Sequence, residues 1–364
     1  MTTFALPKRY ISEPGAASKS GEAVGDISKR VLIIGGKTAL GAIGGALTDS
    51  LGAHGVEYEA VEYGGYPTVR AAREFSGRAA AFGAGAVVGV GGGRILDTAK
   101  AAGHFAKLPV AAVPTIAATC ASWAPTSIMY NDDGEFTEFI PYDEAPVLVV
   151  ADTDIIARAP VRYIRSGAAD ALARWYENRT NLAASNGFYL RWTLKQAELI
   201  REILRGDGLA TIEELARGRC DPARVREVID ANILLTGFFV SPRNTEEPFT
   251  GGFAHPLYHT FSVLHDLHST LHGEQIAFFL IVAGVLENVP DDELSERLSI
   301  FSALRQPLTL GAIGLKENVD EKLHAGIDAF FSAAAAYGRR AVNISREQIY
   351  SAILKADELG RNFA

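Results

Sequence analysis

Residues 87–100 read VVGVGGGRILDTAK, and this stretch decides the fold of the N-terminal half. The short valine-rich run predicts a buried β-strand, and the apolar spacing after the glycines predicts a helix. Gly89, Gly91, Gly92 and Gly93 stand where the strand gives way to the helix. Glycine lets backbone N–H groups approach an anion, and a helix N-terminus carries partial positive charge. The turn therefore predicts a site for a pyrophosphate-bearing dinucleotide, although a tight turn without a ligand fits the motif equally well.

Strands and helices alternate on both sides of this stretch as far as residue 158. The pattern predicts strands at 30–36, 56–64, 86–90, 109–115 and 146–152, a hairpin at 127–139, and helices at 38–55, 68–85 and 94–106. Such alternation predicts a parallel sheet with right-handed crossovers. We therefore expect residues 1–158 to form an α/β, Rossmann-like nucleotide-binding domain.

The strand pattern stops after residue 158, near Pro160. Residues 166–180, 187–206, 221–240 and 347–363 carry apolar side chains at three- and four-residue spacing, which is typical of helices packed on one face. We therefore predict an all-helical domain over 159–364 that holds a metal and the substrate.

The composition describes a compact globular chain. It has 364 residues, 48% hydrophobic and 21% charged, and a formal net charge of −8. Because no run rich in Lys or Arg is present, we expect neither nucleic acid nor an anionic membrane as a partner. Cys120 and Cys220 form no CxxC pair, which favours a reducing cytoplasm over a disulfide framework. There is no signal-peptide pattern, and no apolar run approaches the roughly 20 residues of a membrane helix.

A second loop, VPTIAATCASWAPTS at 113–127, follows the next predicted strand and is rich in small and hydroxyl side chains. Ligands of open parallel sheets bind beyond the carboxyl ends of the strands. The two loops therefore predict one shared cofactor site. An ordinary Thr/Ser-rich loop is the alternative.

Five of the eight histidines lie within 18 residues: His255, His259, His265, His268 and His272. Two imidazoles and a carboxylate form a ligand set for Zn²⁺ or Fe²⁺ that leaves a position for substrate. Asp170, which follows small residues at an expected helix start, is the best carboxylate candidate, and a helix N-terminal charge is the alternative. The spacing leaves the histidines open, because His255 with His259, or His268 with His272, would share a helix face. Pro256 places His255 near a helix start.

Four motifs in order carry a family resemblance. They are GVGGGRILDTAK (89–100), VPTIAATCASWAPTSIMYNDDGEF (113–136), SGAADALARWYE (166–177) and HPLYHTFSVLHDLHSTLHGEQIAF (255–278). The chain resembles the metal-dependent, iron-type alcohol dehydrogenase superfamily, and within it the glycerol dehydrogenase branch. The loop TIAATCASW (115–123) looks most like that of bacterial hydroxycarboxylate dehydrogenases. The resemblance covers nearly the whole chain and implies a dehydroquinate synthase-like fold, with a cofactor cleft between an α/β and a helical domain.

The resemblance also implies roles for individual residues. It assigns a divalent metal, Zn²⁺ first and Fe²⁺ second, to Asp170, His255 and His272. The predicted contacts to NAD or NADP, from the glycine loop and from the resemblance together, are Gly91, Gly92, Gly93, Asp97, Thr115, Thr119, Thr126 and Tyr130. The resemblance further suggests a homo-oligomer.

Three positions depart from the glycerol dehydrogenase pattern. Cys120 stands where those enzymes carry a substrate-contacting aspartate, which favours an anionic substrate, and a small thiol without a role is the alternative. Lys37 stands where an acid often pairs with the adenosine ribose, so it can accept a 2′-phosphate and favour NADP(H); a solvated surface lysine is the alternative. Tyr258 replaces a histidine, and the neighbouring His259 is our candidate for passing a proton to solvent.

Together these observations predict hydride transfer between NAD(P)(H) and a small hydroxy acid or 2-oxo acid, with a bound divalent metal and Cys120 and His259 near the reacting group. Glycerol or another polyol at the same site is the first alternative. A dehydroquinate synthase-like lyase is a remote one, because its site should gather several basic side chains and the motifs offer chiefly Arg174 and Arg179. A metal-free binding protein is the non-enzymatic alternative. We expect a small-molecule substrate and a cytoplasmic location.

Overall fold

A computed structural model describes residues 2–179, 187–244, 252–333 and 344–363. Its strands are β1 (Thr2–Phe4), β2 (Arg9–Glu13), β3 (Arg30–Gly35), β4 (Glu57–Glu62), β5 (Ala86–Gly91), β6 (Val110–Pro114), β7 (Thr126–Tyr130), β8 (Phe136–Pro141), β9 (Leu148–Asp152) and β10 (Pro242–Asn244). Six of them form a parallel sheet in the order β2-β9-β6-β5-β3-β4. The central strands are buried on both faces, which explains their continuous Val/Ile runs.

Helices cover both faces of this sheet. They are α1 (Gly21–Gly25), α2 (Lys37–Ile43), α3 (Gly45–Ala53), α4 (Val69–Phe82) and α5 (Gly93–Ala106). Alternate residues of β3 point to opposite sides: Ile33 packs with Leu47 of α3, and Leu32 packs with Phe75 of α4. The chain moves from β3 outward to β4 and then returns to place β5 on the other side of β3. This reversal opens a crevice at the carboxyl ends of β3 and β5, where such sheets bind ligands.

The rest of the described chain is almost entirely helical. Its helices are α6 (Thr153–Arg158), α7 (Val161–Arg179), α8 (Phe188–Ile203), α9 (Leu209–Ala216), α10 (Pro222–Asp230), α11 (Thr236–Val240), α12 (Ala254–Phe261), α13 (His272–Leu286), α14 (Asp291–Ala303), α15 (Val319–Ala333) and α16 (Arg346–Phe363). Helix α13 is buried over 273–284 and packs against α7, α12, α14 and α16, so it forms the centre of this half.

The predicted fold class is confirmed, and several elements differ from the prediction. The helix expected at 38–55 is two helices, because Gly44 adopts a φ of 52° between α2 and α3. The N-terminal strands β1 and β2 were not predicted, and β2 adds an edge to the sheet.

The half predicted as all-helical contains the short strand β10, which pairs antiparallel with β1. The sheet ends at Asp152 and helices follow from Thr153, while the domain boundary at 158 stays a prediction. The parts of the helical prediction on residues 180–186, 245–251 and 334–343 lie outside the described residues. In the described ranges, no helix is long and apolar enough to cross a membrane.

Candidate active site

A groove of about 1330 Å³ runs between the carboxyl ends of the sheet strands and the helical half. All the predicted site residues line it: Lys37, Gly91, Gly92, Gly93, Asp97, Thr115, Thr119, Cys120, Thr126, Tyr130, Asp170, His255, His259 and His272. The tertiary structure therefore collects into one groove residues that lie up to 235 positions apart in the sequence. Their individual roles stay predictions.

The glycine loop forms the floor of the groove at the switch point of the sheet. Gly92 is the N-cap of α5, and no side chain caps this helix within the described residues, so its first N–H groups have no intrahelical partner. A Cβ on Gly92 would lie 2.7 Å from the Ile116 side chain. The close packing and the uncapped helix fit the pyrophosphate of a dinucleotide.

The second loop is tied to the glycine loop. The Thr115 N–H donates to the Gly91 carbonyl (3.2 Å), and the Thr119 hydroxyl accepts from the Ala121 N–H (3.3 Å). Below these loops, Asp97 is buried and paired with Lys100 (2.8 Å). Burial raises the pKa of Asp97 despite that lysine. The ion pair with Lys100 balances the charge of the carboxylate inside the protein.

The candidate metal cluster is formed by Asp170 from α7, His255 from α12 and His272 from α13. One potential ligand atom of each lies within 4.8 Å of the other two. The Nε2 atoms of His255 and His272 lie 3.3 Å and 3.4 Å from Asp170 Oδ1. A carboxylate with two imidazoles suits Zn²⁺ or Fe²⁺ and leaves coordination positions for a substrate. The residues present therefore fit a divalent metal.

Glu177 supports this cluster and was missed in the sequence. Its carboxylate lies 2.5 Å from His255 Nδ1 and accepts the His255 backbone N–H at 3.1 Å. A carboxylate on Nδ1 leaves Nε2 as the metal-binding nitrogen and fixes the ring orientation. The spacing of seven residues from Asp170, two helical turns, is the signal that could have identified it.

The electrostatics of the cluster follow from burial and from its cations. Burial alone would raise the pKa of Asp170, but Arg174 and His272 outweigh it and hold the pKa well below its usual range. Burial lowers the pKa of His255, and Glu177 reverses this effect and raises it to about 9. Asp170 is therefore an ionised, ligand-ready carboxylate at neutral pH.

Two expectations about the ligands' positions were wrong. Asp170 lies in the middle of α7 and not at a helix start, because α7 begins nine residues earlier, at Val161. His268 and His272 share no helix: His268 lies in a 3₁₀ turn at His265–Ser269, whereas His272 is the first residue of α13. The turn points His268 toward the Ser262 carbonyl, 2.7 Å away.

Two glycines let the ligand-bearing helices pack closely, α7 against the second loop and α13 against α7. A Cβ on Gly167 of α7 would lie 1.9 Å from the Ala117 carbonyl oxygen, and one on Gly273 of α13 would lie 1.8 Å from the Ser166 oxygen. Both distances are impossible for a real side chain. The small residues before Asp170 therefore serve close packing, which places Asp170 beside His272.

The remaining predicted residues occupy distinct environments. His259 is buried beside Phe136 and Phe139. Its Nδ1 has no hydrogen-bond partner in the described residues. Burial and the neighbouring histidines hold its pKa well below the usual value. Trp123 is buried in the core, and its indole N–H donates to the Ser241 hydroxyl (3.0 Å).

Cys120 and Lys37 differ sharply in exposure. Cys120 is buried, and burial raises its pKa to about 11, so the thiol is neutral at physiological pH. Lys37 begins α2 and is exposed at the rim of the groove. The burial of Cys120 and the exposure of Lys37 assign no role to either residue, so their roles stay predictions.

The sequence and the fold of this chain are similar to those of known proteins. Residues 7–153 match the model of the iron-containing alcohol dehydrogenase family. The chain is 31% identical to glycerol dehydrogenase of Escherichia coli O6:H1, over 98% of this chain and 97% of that protein. It is 30% identical to hydroxycarboxylate dehydrogenase A of Escherichia coli K12, over 86% and 85%. The crystal structure of a probable glycerol dehydrogenase from Sinorhizobium meliloti 1021 superposes with a TM-score of 0.87 at 24% identity, covering 99% of both chains, which shows a common fold.

The chain therefore belongs to the iron-containing alcohol dehydrogenase family. It is a glycerol dehydrogenase-like oxidoreductase that acts on CH–OH groups. The resemblance identified from the four motifs is confirmed. Membership of the family implies a divalent metal and a nicotinamide cofactor, which the cluster and the glycine loop fit.

Proposed function

We propose that this protein interconverts small 2-oxo acids and 2-hydroxy acids with NAD(P)(H) and a bound divalent metal, Zn²⁺ before Fe²⁺. The single observation that carries this proposal is the position of the neutral Cys120 in the groove that holds Asp170, His255 and His272. The resemblance places a substrate-contacting aspartate of glycerol dehydrogenases at this position, and a neutral thiol in its place leaves the groove able to accept an anionic substrate.

The charge of the groove supports an anionic occupant. Among the described lining residues, four are cationic and two are acidic: Lys37, Arg94, Arg158 and Arg174 against Asp97 and Asp170. Asp97 is already paired with Lys100. The surplus of positive charge attracts the cofactor phosphates and a substrate carboxylate.

The proposed reaction takes a hydride and a proton to the carbonyl of a 2-oxo acid, and the reverse reaction returns them. When bound, the metal supplies Lewis-acid polarisation of the substrate oxygen and the nicotinamide supplies or accepts the hydride. Asp170, His255 and His272 would hold the ion, and Glu177 orients His255. The two loops orient the cofactor, and the buried Cys120 forms a neutral wall. His259 remains our candidate for passing the proton to solvent.

Glycerol or another small polyol is the second candidate substrate. The similarity to a glycerol dehydrogenase over 98% of the chain favours it. Both candidates use the same groove, so only the substrate distinguishes them.

The test is a substrate panel with the purified enzyme loaded with Zn²⁺ or Fe²⁺. NADPH and NADH oxidation would be followed with 2-oxobutanoate, 1-hydroxybutan-2-one and dihydroxyacetone. We expect the 2-oxo acid to give the highest kcat/KM. Turnover confined to dihydroxyacetone and the hydroxyketone would refute the substrate assignment and favour the polyol.

We also propose NADP(H) as the preferred cofactor, because Lys37 lies at the groove rim where it can meet a 2′-phosphate. Lys37→Ala should raise the KM for NADPH and leave the KM for NADH nearly unchanged. Equal effects on both cofactors would contradict this assignment.

Two further proposals concern the context of the enzyme. The described surface exposes Phe4 (48%) and Phe188 (76%), and a homo-oligomer would cover such apolar side chains; sedimentation velocity would test it. We propose a cytoplasmic location, which the free cysteines Cys120 and Cys220 support.

A further inference from the structure

We propose that Arg174 binds the carboxylate of the substrate and thereby selects 2-oxo acids over neutral carbonyl compounds. The inference rests on the proposed function of the same groove and adds to it a residue that determines specificity. It answers a question that the sequence left open, namely which basic group would hold a substrate carboxylate.

Arg174 lies one helical turn after Asp170 on α7, so both side chains face the groove. Its Nη2 donates to Asp170 Oδ1 at 2.9 Å and lies 3.5 Å from His255 Nε2. The side chain is only 11% exposed. A guanidinium thus lies directly beside the atoms that would hold the ion, and in a 2-oxo acid the carboxylate is bonded to the carbonyl carbon whose oxygen would meet that ion.

The guanidinium has donor capacity to spare. Its Nε is buried and has no hydrogen-bond partner among the described residues. That atom is closed off from the groove, but the rest of the side chain lines the groove and is partly exposed there. A substrate carboxylate can meet this exposed part, and arginine binds carboxylates in a two-pronged arrangement.

The charge of the cluster points to the same ligand. With His255 neutral, as a metal ligand must be, Asp170 and Glu177 contribute two negative charges and Arg174 one positive charge, and the Asp97–Lys100 pair adds none. A divalent cation would convert this net charge of minus one to plus one. An anionic substrate restores neutrality in a buried site, whereas a polyol does not.

Cys120 keeps Arg174 available. Arg174 and Cys120 both line the groove, and the positive charge of Arg174 favours the thiolate form of Cys120. An aspartate at position 120 would add a negative charge to the same groove and oppose the binding of a substrate carboxylate. The neutral thiol leaves the guanidinium for the substrate.

The experiment compares the metal-loaded wild type with Arg174→Gln and Arg174→Lys. Arg162→Gln is the matched control, because Arg162 lies on the same helix, half-exposed, outside the groove lining. The kinetic probes are 2-oxobutanoate and 1-hydroxybutan-2-one, which differ only in carboxylate against hydroxymethyl. The binding probe is oxamate, a planar carboxylate that is not reduced. Metal content and melting temperature are measured for each variant.

We expect Arg174→Gln to lower kcat/KM for 2-oxobutanoate roughly 10- to 150-fold relative to the hydroxyketone, which corresponds to the loss of charged hydrogen bonds. The loss for 2-oxobutanoate should appear mainly as a higher KM. The dissociation constant of oxamate should rise by a similar factor, while metal content stays near one ion per chain. Arg174→Lys should show an intermediate loss, since lysine keeps the charge without the planar fork. Arg162→Gln should leave the ratio unchanged.

Equal losses for both ketones in Arg174→Gln would overturn the inference and leave a purely structural role beside Asp170. Oxamate binding that neither Arg174 variant weakens would overturn it as well. The proposed function fails in a different way, namely when the wild type itself reduces only the neutral ketone. In that case the oxamate titration still decides whether Arg174 is an anion site.

Discussion

At the scale of one residue, Glu177 shows how a side chain outside the candidate ligand set orients a histidine within it. Its carboxylate holds both the backbone and Nδ1 of His255 and is itself buried. Burial raises the pKa of Glu177, but His255 outweighs this effect and lowers the pKa below its usual value, so the carboxylate is ionised. The side chain thus directs Nε2 of His255 toward Asp170.

We predict that Glu177→Gln weakens metal binding about 10- to 100-fold, the usual effect of removing a carboxylate behind a metal-binding histidine. The affinity would be measured by competition with a chromophoric chelator. Glu213→Gln is the control, because Glu213 pairs with Arg165 and Arg305 outside the groove lining. Identical affinities in wild type and Glu177→Gln would show that His255 needs no such support.

The histidines also illustrate what residue spacing leaves undecided. His255 and His259 both lie on α12, but His255 meets Asp170 whereas His259 packs against Phe136 and Phe139. The sequence shows five histidines in this segment, and the family resemblance assigned two of them to the metal. Which ring faces which neighbour depends on β8, the strand that carries Phe139 and lies 120 residues away.

At the scale of elements, the approach of α7 to its neighbours positions the ligands. Gly167 contacts the Ala117 carbonyl, and the same carbonyl accepts a hydrogen bond from Asn232 Nδ2 at 3.0 Å. Asn232 also binds the Ile164 carbonyl at 3.0 Å. A helix, a loop and a second helical run are thus joined at one point, three residues before Asp170.

We predict that Gly167→Ala destabilises the protein by about 1–3 kcal/mol, since the added methyl forces α7 away from the loop. Metal affinity should fall with it, because Asp170 moves with the helix. The control is Gly77→Ala in α4, where a Cβ meets no atom within 4 Å; there we expect stabilisation of about 0.5–1 kcal/mol. Urea unfolding and metal titration would measure both, and an unperturbed Gly167→Ala protein would contradict the packing argument.

Helix α14 is anchored by a buried charge network. Arg297 is fully buried and binds Glu293 at 2.5 Å and the Leu280 carbonyl at 2.7 Å. Glu293 also binds Arg179 of α7. Burial raises the pKa of Glu293, but Arg179 and Arg297 outweigh it and lower the pKa below its usual value.

The pH dependence of stability follows from that lowered pKa. The carboxylate's contribution is present above the usual glutamate pKa of about 4.3 and is lost as the pH falls through the lower folded value. Glu293→Gln should therefore destabilise the protein at pH 7, by about 3–5 kcal/mol because Arg297 stays buried, and much less in acid. Glu296→Gln on the same helix, a partly exposed pair with Arg201, should cost under about 1 kcal/mol. A pH-independent difference in urea unfolding would refute this account.

At the scale of the molecule, one groove joins the sheet to the helical half. Ligands that bind only the folded state stabilise it by mass action, and the candidate metal ligands come from three helices, α7, α12 and α13. The stability of the helical half should therefore depend on the ion.

We predict that EDTA lowers the melting temperature of the metal-loaded protein by several degrees, at roughly 2 °C per kcal/mol of lost binding energy. Differential scanning calorimetry would measure the shift, and added Zn²⁺ should reverse it. Asp170→Asn is the control, because this variant should melt at the same temperature with and without EDTA. A shift that persists in Asp170→Asn would assign the effect to another cation site.

The sequence by itself determined the class of the fold and the composition of the site. Period-two and helical patterns are local, so residues 87–100 sufficed to predict a strand, a glycine turn and a helix, and four ordered motifs indicated the family. The break at Gly44, the pairing of β1 with β10 and the edge strand β2 were not predictable, because each depends on a single backbone angle or on a distant partner.

Only the tertiary structure decided how the site works. Asp170 was predicted, but its place in mid-helix, its support from Arg174 and the role of Glu177 behind His255 become visible only in the structure, where α7 packs against α13 and meets the start of α12. The burial that shifts the pKa of Cys120 and leaves Arg174 Nε without a partner has the same origin. Burial and orientation are properties of contacts between residues far apart in the chain, and a local pattern does not contain them.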